Sequence, residues 1–233
     1  MRQALLIFNK EFKDYFTSPI AYIVIAIFLA VTGWLFFSAF FLNNQAELRR
    51  FFTLLPLLFA LVMPLVTMRL FAEEINVGSY ELLLTLPVTF RDIIVGKFMA
   101  AVAFAAALLV PTLSYPIFIS MIGDLDWGVS IAGYLGALLM AAAYAGVGLF
   151  ASSLTRNQII AGIVAMVICV FLAIVDQMLF FFPQSILDLV TYLSANAHFT
   201  NIAKGILDSR DLLYFLSVAF LGLYATHLVM EEK

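Results

Sequence analysis

This chain of 233 residues has little that could do covalent chemistry and little that favours water. It holds one cysteine, Cys169, so no disulfide framework and no Cys-based metal site is expected. Cys169 falls inside an apolar run, where it reads as a small packed residue. Charged residues make up only 12% of the chain and lie mostly between apolar runs. The two histidines, His198 and His227, fall near opposite faces of the expected topology and cannot share a metal or form a dyad. No H-E-x-x-H, no G-x-S-x-G and no paired intramembrane carboxylates occur. Ile94, Val95, Gly96 and Lys97 resemble a phosphate loop only superficially. Arg91 stands where the first glycine of G-x-x-x-x-G-K-[ST] belongs, and Phe98 stands where Ser or Thr should follow. The chain is therefore not expected to bind ATP by that motif. Polar–apolar alternation is missing as well, which excludes a β-barrel.

What is present is apolar length. AVILMFWYC residues make up 64% of the chain, more than a soluble core of this size can hide. They form six runs, at 20–41, 52–68, 93–122, 129–152, 158–182 and 212–230. About 20 apolar residues cross the hydrocarbon core, and a helix satisfies its own backbone there. The pattern predicts an all-α polytopic membrane protein with six transmembrane helices in a single domain, 1–233. The third run is too long for one simple span. Its first turns are expected in the cytoplasm, with kinks allowed at Pro111 and Pro116. No cleavable signal is read at the start, because the first run is too long and no small-x-small site follows.

Charge sets the expected orientation. With the N-terminus inside, the inner segments hold Arg2, Lys10, Lys13, Arg69, Arg91, Lys97, Arg156 and Lys233. The outer ones hold Arg49, Arg50, Lys204 and Arg210. This bias places both termini in the cytoplasm. Asp176, acidic in an otherwise apolar run, reads as a wet residue at the outer helix end. The spans lack the ladder of ionisable groups an ion-coupled pump needs, so energy is expected from elsewhere.

Three polar or amphipathic stretches stand out. In residues 1–17, Leu5, Phe8, Phe12, Tyr15 and Phe16 form a helical stripe opposite Arg2, Asn9, Lys10 and Lys13, which predicts an amphipathic interfacial helix broken by Ser18-Pro19. In 69–92, Glu73 and Glu74 close the second span, and Gly78 and Ser79 start a short helix over 79–86 that Pro87 ends. Leu82, Leu83, Leu84 and Leu86 on that helix need a partner or the membrane surface. Thr89 with Asp92 reads as a cap for the next helix. In 183–211, recurring apolar residues predict one or two short interfacial or re-entrant helices closed by Gly205.

The run Glu73-Glu74, Gly78-Ser79-Tyr80-Glu81-Leu82-Leu83-Leu84-Thr85-Leu86-Pro87 and Ile94-Val95-Gly96-Lys97 resembles the signature of ABC-2-type permeases, the membrane subunits of a class of ATP-binding-cassette transporter. Ser152-Ser153-Leu154-Thr155-Arg156-Asn157-Gln158 is similar to that family's second cytoplasmic turn. His198-Phe199, Lys204-Gly205-Ile206-Leu207-Asp208, Arg210-Asp211 and Tyr214-Phe215 resemble its gliding-motility and copper-processing subgroup. The resemblance implies an inner-membrane exporter subunit with no catalytic residues and no cofactor of its own. A separate cytoplasmic ATPase would bind ATP and Mg. The ATPase-coupling residues would be Glu73, Glu74, Ser79, Glu81, Leu82, Leu83 and Leu86, with Thr155, Arg156 and Asn157 in the second turn. A second permease subunit, identical or paralogous, would complete the conduit, and a periplasmic or membrane accessory protein could join it. The alternative is a mechanotransmission or assembly complex that moves no solute. The phenylalanines of the first span (Phe28, Phe36, Phe37, Phe40 and Phe41) point to an apolar subunit interface or a lipid-like substrate.

Overall fold

A computed structural model of the chain describes residues 2–43, 48–78, 88–181 and 187–232. The described residues are helical, with no strand among them. The helices are α1 (Arg2–Thr17), α2 (Pro19–Asn43), α3 (Arg49–Thr67), α4 (Arg69–Val77), α5 (Phe90–Leu109), α6 (Ser114–Ile122), α7 (Trp127–Leu154), α8 (Gln158–Ile174), α9 (Leu187–Leu193), α10 (Ala195–Ala203) and α11 (Ser209–Glu231). Six stretches are long and apolar enough to cross a membrane: Pro19–Ser38, Arg49–Val77, Phe90–Ile122, Trp127–Leu154, Gln158–Met178 and Ser209–Glu231. The expected six-span, all-α membrane protein is what the chain forms.

Helix α7 is the hub. It packs on α11, α3, α8, α10 and α5. Its composition explains why. Gly133, Gly136, Ala137, Ala141, Ala145, Gly146 and Gly148 are buried along it and let neighbours come close. A Cβ on Gly146 would lie 2.8 Å from the Ala219 carbonyl oxygen of α11. In lipid, where apolar side chains gain little by leaving the solvent, such backbone approach is the main source of helix association.

Local punctuation follows the residues. Ser18 breaks the chain between α1 and α2, and its Oγ accepts from the Ile20 N–H at 3.3 Å. The third span splits at Pro111, which starts a 3₁₀ turn (Pro111–Leu113) between α5 and α6. Pro116 causes no break, because it sits in the first turn of α6 where an N–H has no partner within that helix. Thr89 caps α5, accepting from the Asp92 N–H at 3.2 Å, and its hydroxyl donates to Asp92 Oδ2 at 2.7 Å. Gly205 has φ +83°, and its N–H closes on the Ile202 carbonyl at 2.9 Å just after α10.

The structure corrects four expectations. Gly78 has φ +75° and ends α4 in the left-handed region, so it belongs to the close of that helix. The buried face of α1 runs through Ala4, Ile7, Phe8, Glu11, Phe12 and Tyr15, while Leu5 is 53% exposed. Gly96 on α5 lets this face of α1 lie close, since a Cβ there would meet the Ala4 carbonyl oxygen and the Ile7 side chain at 2.8 Å. Asp176 is half-buried, and its Oδ2 accepts from Asn196 Nδ2 at 2.7 Å, so it joins the 3₁₀ turn Val175–Phe181 to α10 instead of facing water. Finally, Phe28 and Phe36 are core residues. Phe28 stacks on Phe59 and Phe36 on Tyr115, with ring centroids 5.8 and 5.1 Å apart. They are packed within the chain and open onto no partner surface. The side chains of Phe40 and Phe41 lie outside the described residues.

Candidate coupling site

The second span does not run straight to its end. Met68 separates α3 from α4, and Met68 supplies no side-chain cap. The first N–H groups of α4 would then be orphaned at a helix start. Ser152, from the last turn of α7, meets them. Its Oγ accepts from the Phe71 and Ala72 N–H groups, each at 3.0 Å, and donates to the Met68 carbonyl at 2.8 Å. This serine is a helix cap delivered by another helix, and it fixes the angle at which α4 leaves the bundle. Ser152→Ala strands two donors at a fully buried position. A loss of about 1–2 kcal/mol is expected. Thermal unfolding of the purified chain measures it, and faster amide exchange at Phe71 and Ala72 localises it.

Helix α4 carries Glu73 and Glu74. Glu74 turns toward Lys97 on α5. The Lys97 ammonium is 1% exposed and uses all three of its donors. One goes to Glu74 Oε1 at 2.7 Å, one to the Leu70 carbonyl at 2.7 Å, and one to Glu11 Oε1 of α1 at 3.0 Å. Lys10 approaches Glu74 at 3.9 Å, so two lysines balance two carboxylates. The Phe71 ring lies 5.3 Å from the Lys97 nitrogen and covers it. One buried cation thus binds α1, α4 and α5 together. Beside it, Tyr15 of α1 donates to the Val66 carbonyl at 3.1 Å, under the Arg69 guanidinium at 4.9 Å. Burial pushes the Tyr15 phenol up against the opposing pull of Arg69, so it stays a neutral donor. A charged cavity of about 320 Å³ opens next to the cluster, between α1 and α4.

Glu73 lines that cavity too. It also borders a second cavity of about 260 Å³ with Asn76, Arg156 and Asn157, so α4 and the turn between α7 and α8 share one surface. Thr155 and Asn157 shape that turn. Thr155 Oγ1 accepts from the Asn157 N–H at 3.1 Å, and Asn157 Oδ1 caps α8 by accepting from the Ile159 N–H at 2.9 Å. Arg156 is exposed. Of the expected coupling residues, Glu73 and Glu74 therefore sit on one short helix and border one cavity, and Glu73 also borders the cavity at the turn between α7 and α8. Ser79, Glu81, Leu82, Leu83 and Leu86 lie outside the described residues.

Sequence reasoning missed Glu11 and Ser152, and it left Lys97 without a structural role. A signal for Lys97 was available. It falls on the same helical stripe as Ile93, Ala100, Ala101 and Phe104, all buried, and a lysine on that stripe requires an anion.

At the other end of the bundle the subgroup-like residues converge. His198 Nδ1 lies 2.6 Å from Asp211 Oδ1, and His198 Nε2 lies 2.9 Å from the Tyr192 carbonyl. Tyr214 stacks on the imidazole at 4.1 Å, and its hydroxyl donates to the Leu193 carbonyl at 2.6 Å. The imidazole thus bridges the Tyr192 carbonyl of α9 and the Asp211 carboxyl, and pins α9 and α10 to α11. Asp208 caps α11, accepting from the Arg210 N–H at 2.9 Å. His227 is elsewhere, 4.0 Å from Glu231 near the end of α11, so the two histidines do not meet.

Six apolar spans define a multi-pass membrane protein. Comparison with known families makes the class specific. The model of the ABC-2 family transporter proteins matches residues 5–229, and the chain belongs to that family. No curated protein matches the chain.

Proposed function

We propose that this chain is the membrane half of an ATP-driven exporter, and that the junction of α1, α4 and α5 relays motion from a separate cytoplasmic ATPase. The observation that carries the reading is the Lys97 cluster. It ties α1, α4 and α5 into one unit, and α4 and α5 flank residues 79–87. A segment docked in an ATPase would push on α4, and α4 cannot move without dragging α1 and the third span. The chain itself does no chemistry in this scheme. ATP and Mg bind the partner, a second permease subunit completes the conduit, and the two halves exchange closed and open arrangements. The Lys97 end faces the cytoplasm of the inner membrane, with both termini on that side.

In this reading residues 79–86 form the coupling helix, with Ser79, Glu81, Leu82, Leu83 and Leu86 as ATPase contacts. Each buried leucine is worth about 1.5–3 kcal/mol, so a charge among them should be decisive. Leu83→Asp is expected to insert and fold as the wild type does, while permease-stimulated ATP turnover falls at least about tenfold. Normal stimulation by the variant would overturn the coupling role.

A second reading has one observation in its favour. The convergence of His198, Asp211 and Tyr214 matches the residues that resemble gliding-motility and copper-processing permeases. The pinned helices α9 and α10 would then transmit motion to a periplasmic accessory protein without solute passage. Reconstituted complex that hydrolyses ATP yet moves no solute across a vesicle membrane would decide for that alternative.

A further inference from the structure

The second span, Arg49–Val77, is interrupted at Met68. Among the described residues no backbone bond runs from the Leu70 or Phe71 N–H to the Val66 or Thr67 carbonyl, so the helical ladder is open there. The backbone nevertheless keeps helical torsions, with Met68 at φ −54° and ψ −31°. Pro64 lies before the opening, and its carbonyl takes an ordinary ladder bond from the Met68 N–H at 2.9 Å. The interruption comes from side chains inserted in the ladder. The Ser152 hydroxyl of α7 accepts from Phe71 and Ala72 and takes the Met68 carbonyl, which a straight helix offers to Ala72. The Tyr15 hydroxyl of α1 takes the Val66 carbonyl, which a straight helix offers to Leu70. The groups freed by the interruption are thus held by two other helices.

We propose that Met68 is a two-state hinge, with Ser152 as its wedge and Tyr15 as its latch, and that closing the ladder swings α4 against α3. When Ser152 withdraws, the Phe71 and Ala72 N–H groups close on the Thr67 and Met68 carbonyls. When Tyr15 lets go, the Leu70 N–H closes on Val66. Ser152 then keeps a partner by donating to the Gly148 carbonyl four residues back, as Thr67 and Thr226 do to Met63 and Gly222. No buried backbone donor is stranded in either form. The Tyr15 hydroxyl alone loses its partner on straightening, so the bent form rests and a push is needed to leave it. The pivot is clamped. Gly148 of α7 and Gly162 of α8 admit α3 so closely that a Cβ would lie 2.8 Å from Thr67 Cβ and 3.0 Å from Met68 Sδ. Beyond the pivot α4 is freer, with Glu73, Asn76 and Val77 exposed.

The hinge rests on the permease reading only for what pushes it, the ATPase acting through residues 79–87. Its test needs no ATPase. Spin labels at Asn76→Cys on α4 and Gln158→Cys on α8, both exposed positions, are placed in a Cys169→Ala background of the full chain in detergent. Double electron–electron resonance reads the distance between them. Helix α4 is about 13 Å long, and a kink change of about 20–30° moves its end by about 5 Å. The otherwise unaltered chain should give one principal distance. Ser152→Ala and Tyr15→Phe should each add a second, about 5 Å away. The stability lost in Ser152→Ala is lost from the bent form, so the straight form gains population, and the double variant should be mostly straight. Should Ser152→Ala fail to fold, Tyr15→Phe decides alone, because it removes one hydroxyl and almost no volume. A single unchanged distance in the folded variants would overturn the hinge and leave Ser152 a fixed cap. A second distance in variants that stimulate the partner ATPase as the wild type does would keep the hinge and sink the relay instead.

Discussion

Lys97→Met is expected to be the most damaging conservative substitution in the chain. Methionine fills nearly the same volume and suits the Phe71 ring, so packing survives. What is lost is the cation between Glu11 and Glu74, whose carboxylates both reach the same ammonium. Breaking a buried ion pair from one side costs about 3–5 kcal/mol, because the remaining charge has left water and lost its partner. Two features pull the cost toward the lower end. Lys10 is within 3.9 Å of Glu74, and the adjacent cavity can admit water to the stranded carboxylates. A loss of about 3 kcal/mol is expected, read as a lowered midpoint of thermal unfolding in detergent.

The direction of rescue separates an electrostatic role from mere bulk. Adding Glu11→Gln and Glu74→Gln to Lys97→Met removes the stranded charges, and most of the lost stability should return. Function should not return with it. If the cluster makes α1, α4 and α5 one unit, the neutral triple variant folds but stimulates the partner ATPase poorly. A triple variant that is stable and fully stimulates ATP turnover would reduce the cluster to a packing device and remove the main support for the relay.

How much of this was legible in the sequence depended on range. Features set by neighbouring residues were readable: the Ser18-Pro19 break, the Pro111 split, the Thr89 cap and the Gly205 stop each follow from a few adjacent side chains. The six spans were readable because lipid imposes length and composition on each run separately. The junction was not. Residues 11, 74 and 97 lie on three helices, and no spacing rule relates them. Ser152 was hidden for the same reason, since a serine near a turn between two spans has an adequate local explanation. Even α1, correctly read as amphipathic, was rotated in the reading, because the glycine that lets its Ala4 and Ile7 come close, Gly96, stands on a helix far along the chain.

The same dependence on close approach governs the packing of the last span. Gly222→Leu is expected to detach α11 from the bundle. A Cβ on Gly222 would lie 2.6 Å from the Gly146 carbonyl oxygen and 2.9 Å from the Val147 nitrogen, both backbone atoms of α7. Backbone cannot rotate aside as a side chain can, so the helices must separate. The α7–α11 contact is the most extensive between helices among the described residues, and separation there costs van der Waals contacts along the whole seam. Overpacking usually costs about 1–3 kcal/mol where side chains can yield; here the obstacle is rigid, and about 3 kcal/mol or more is expected. Gly222→Ala should already show part of the loss. The control is Gly33→Ala on α2, where the new methyl meets only the Tyr115 hydroxyl, at 3.3 Å. That side chain can shift, so its cost should stay below about 1 kcal/mol. Thermal unfolding of the three variants ranks them. If Gly222→Leu unfolds within a degree or two of Gly33→Ala, α7 and α11 are not in backbone contact, and the central role given to α7 fails.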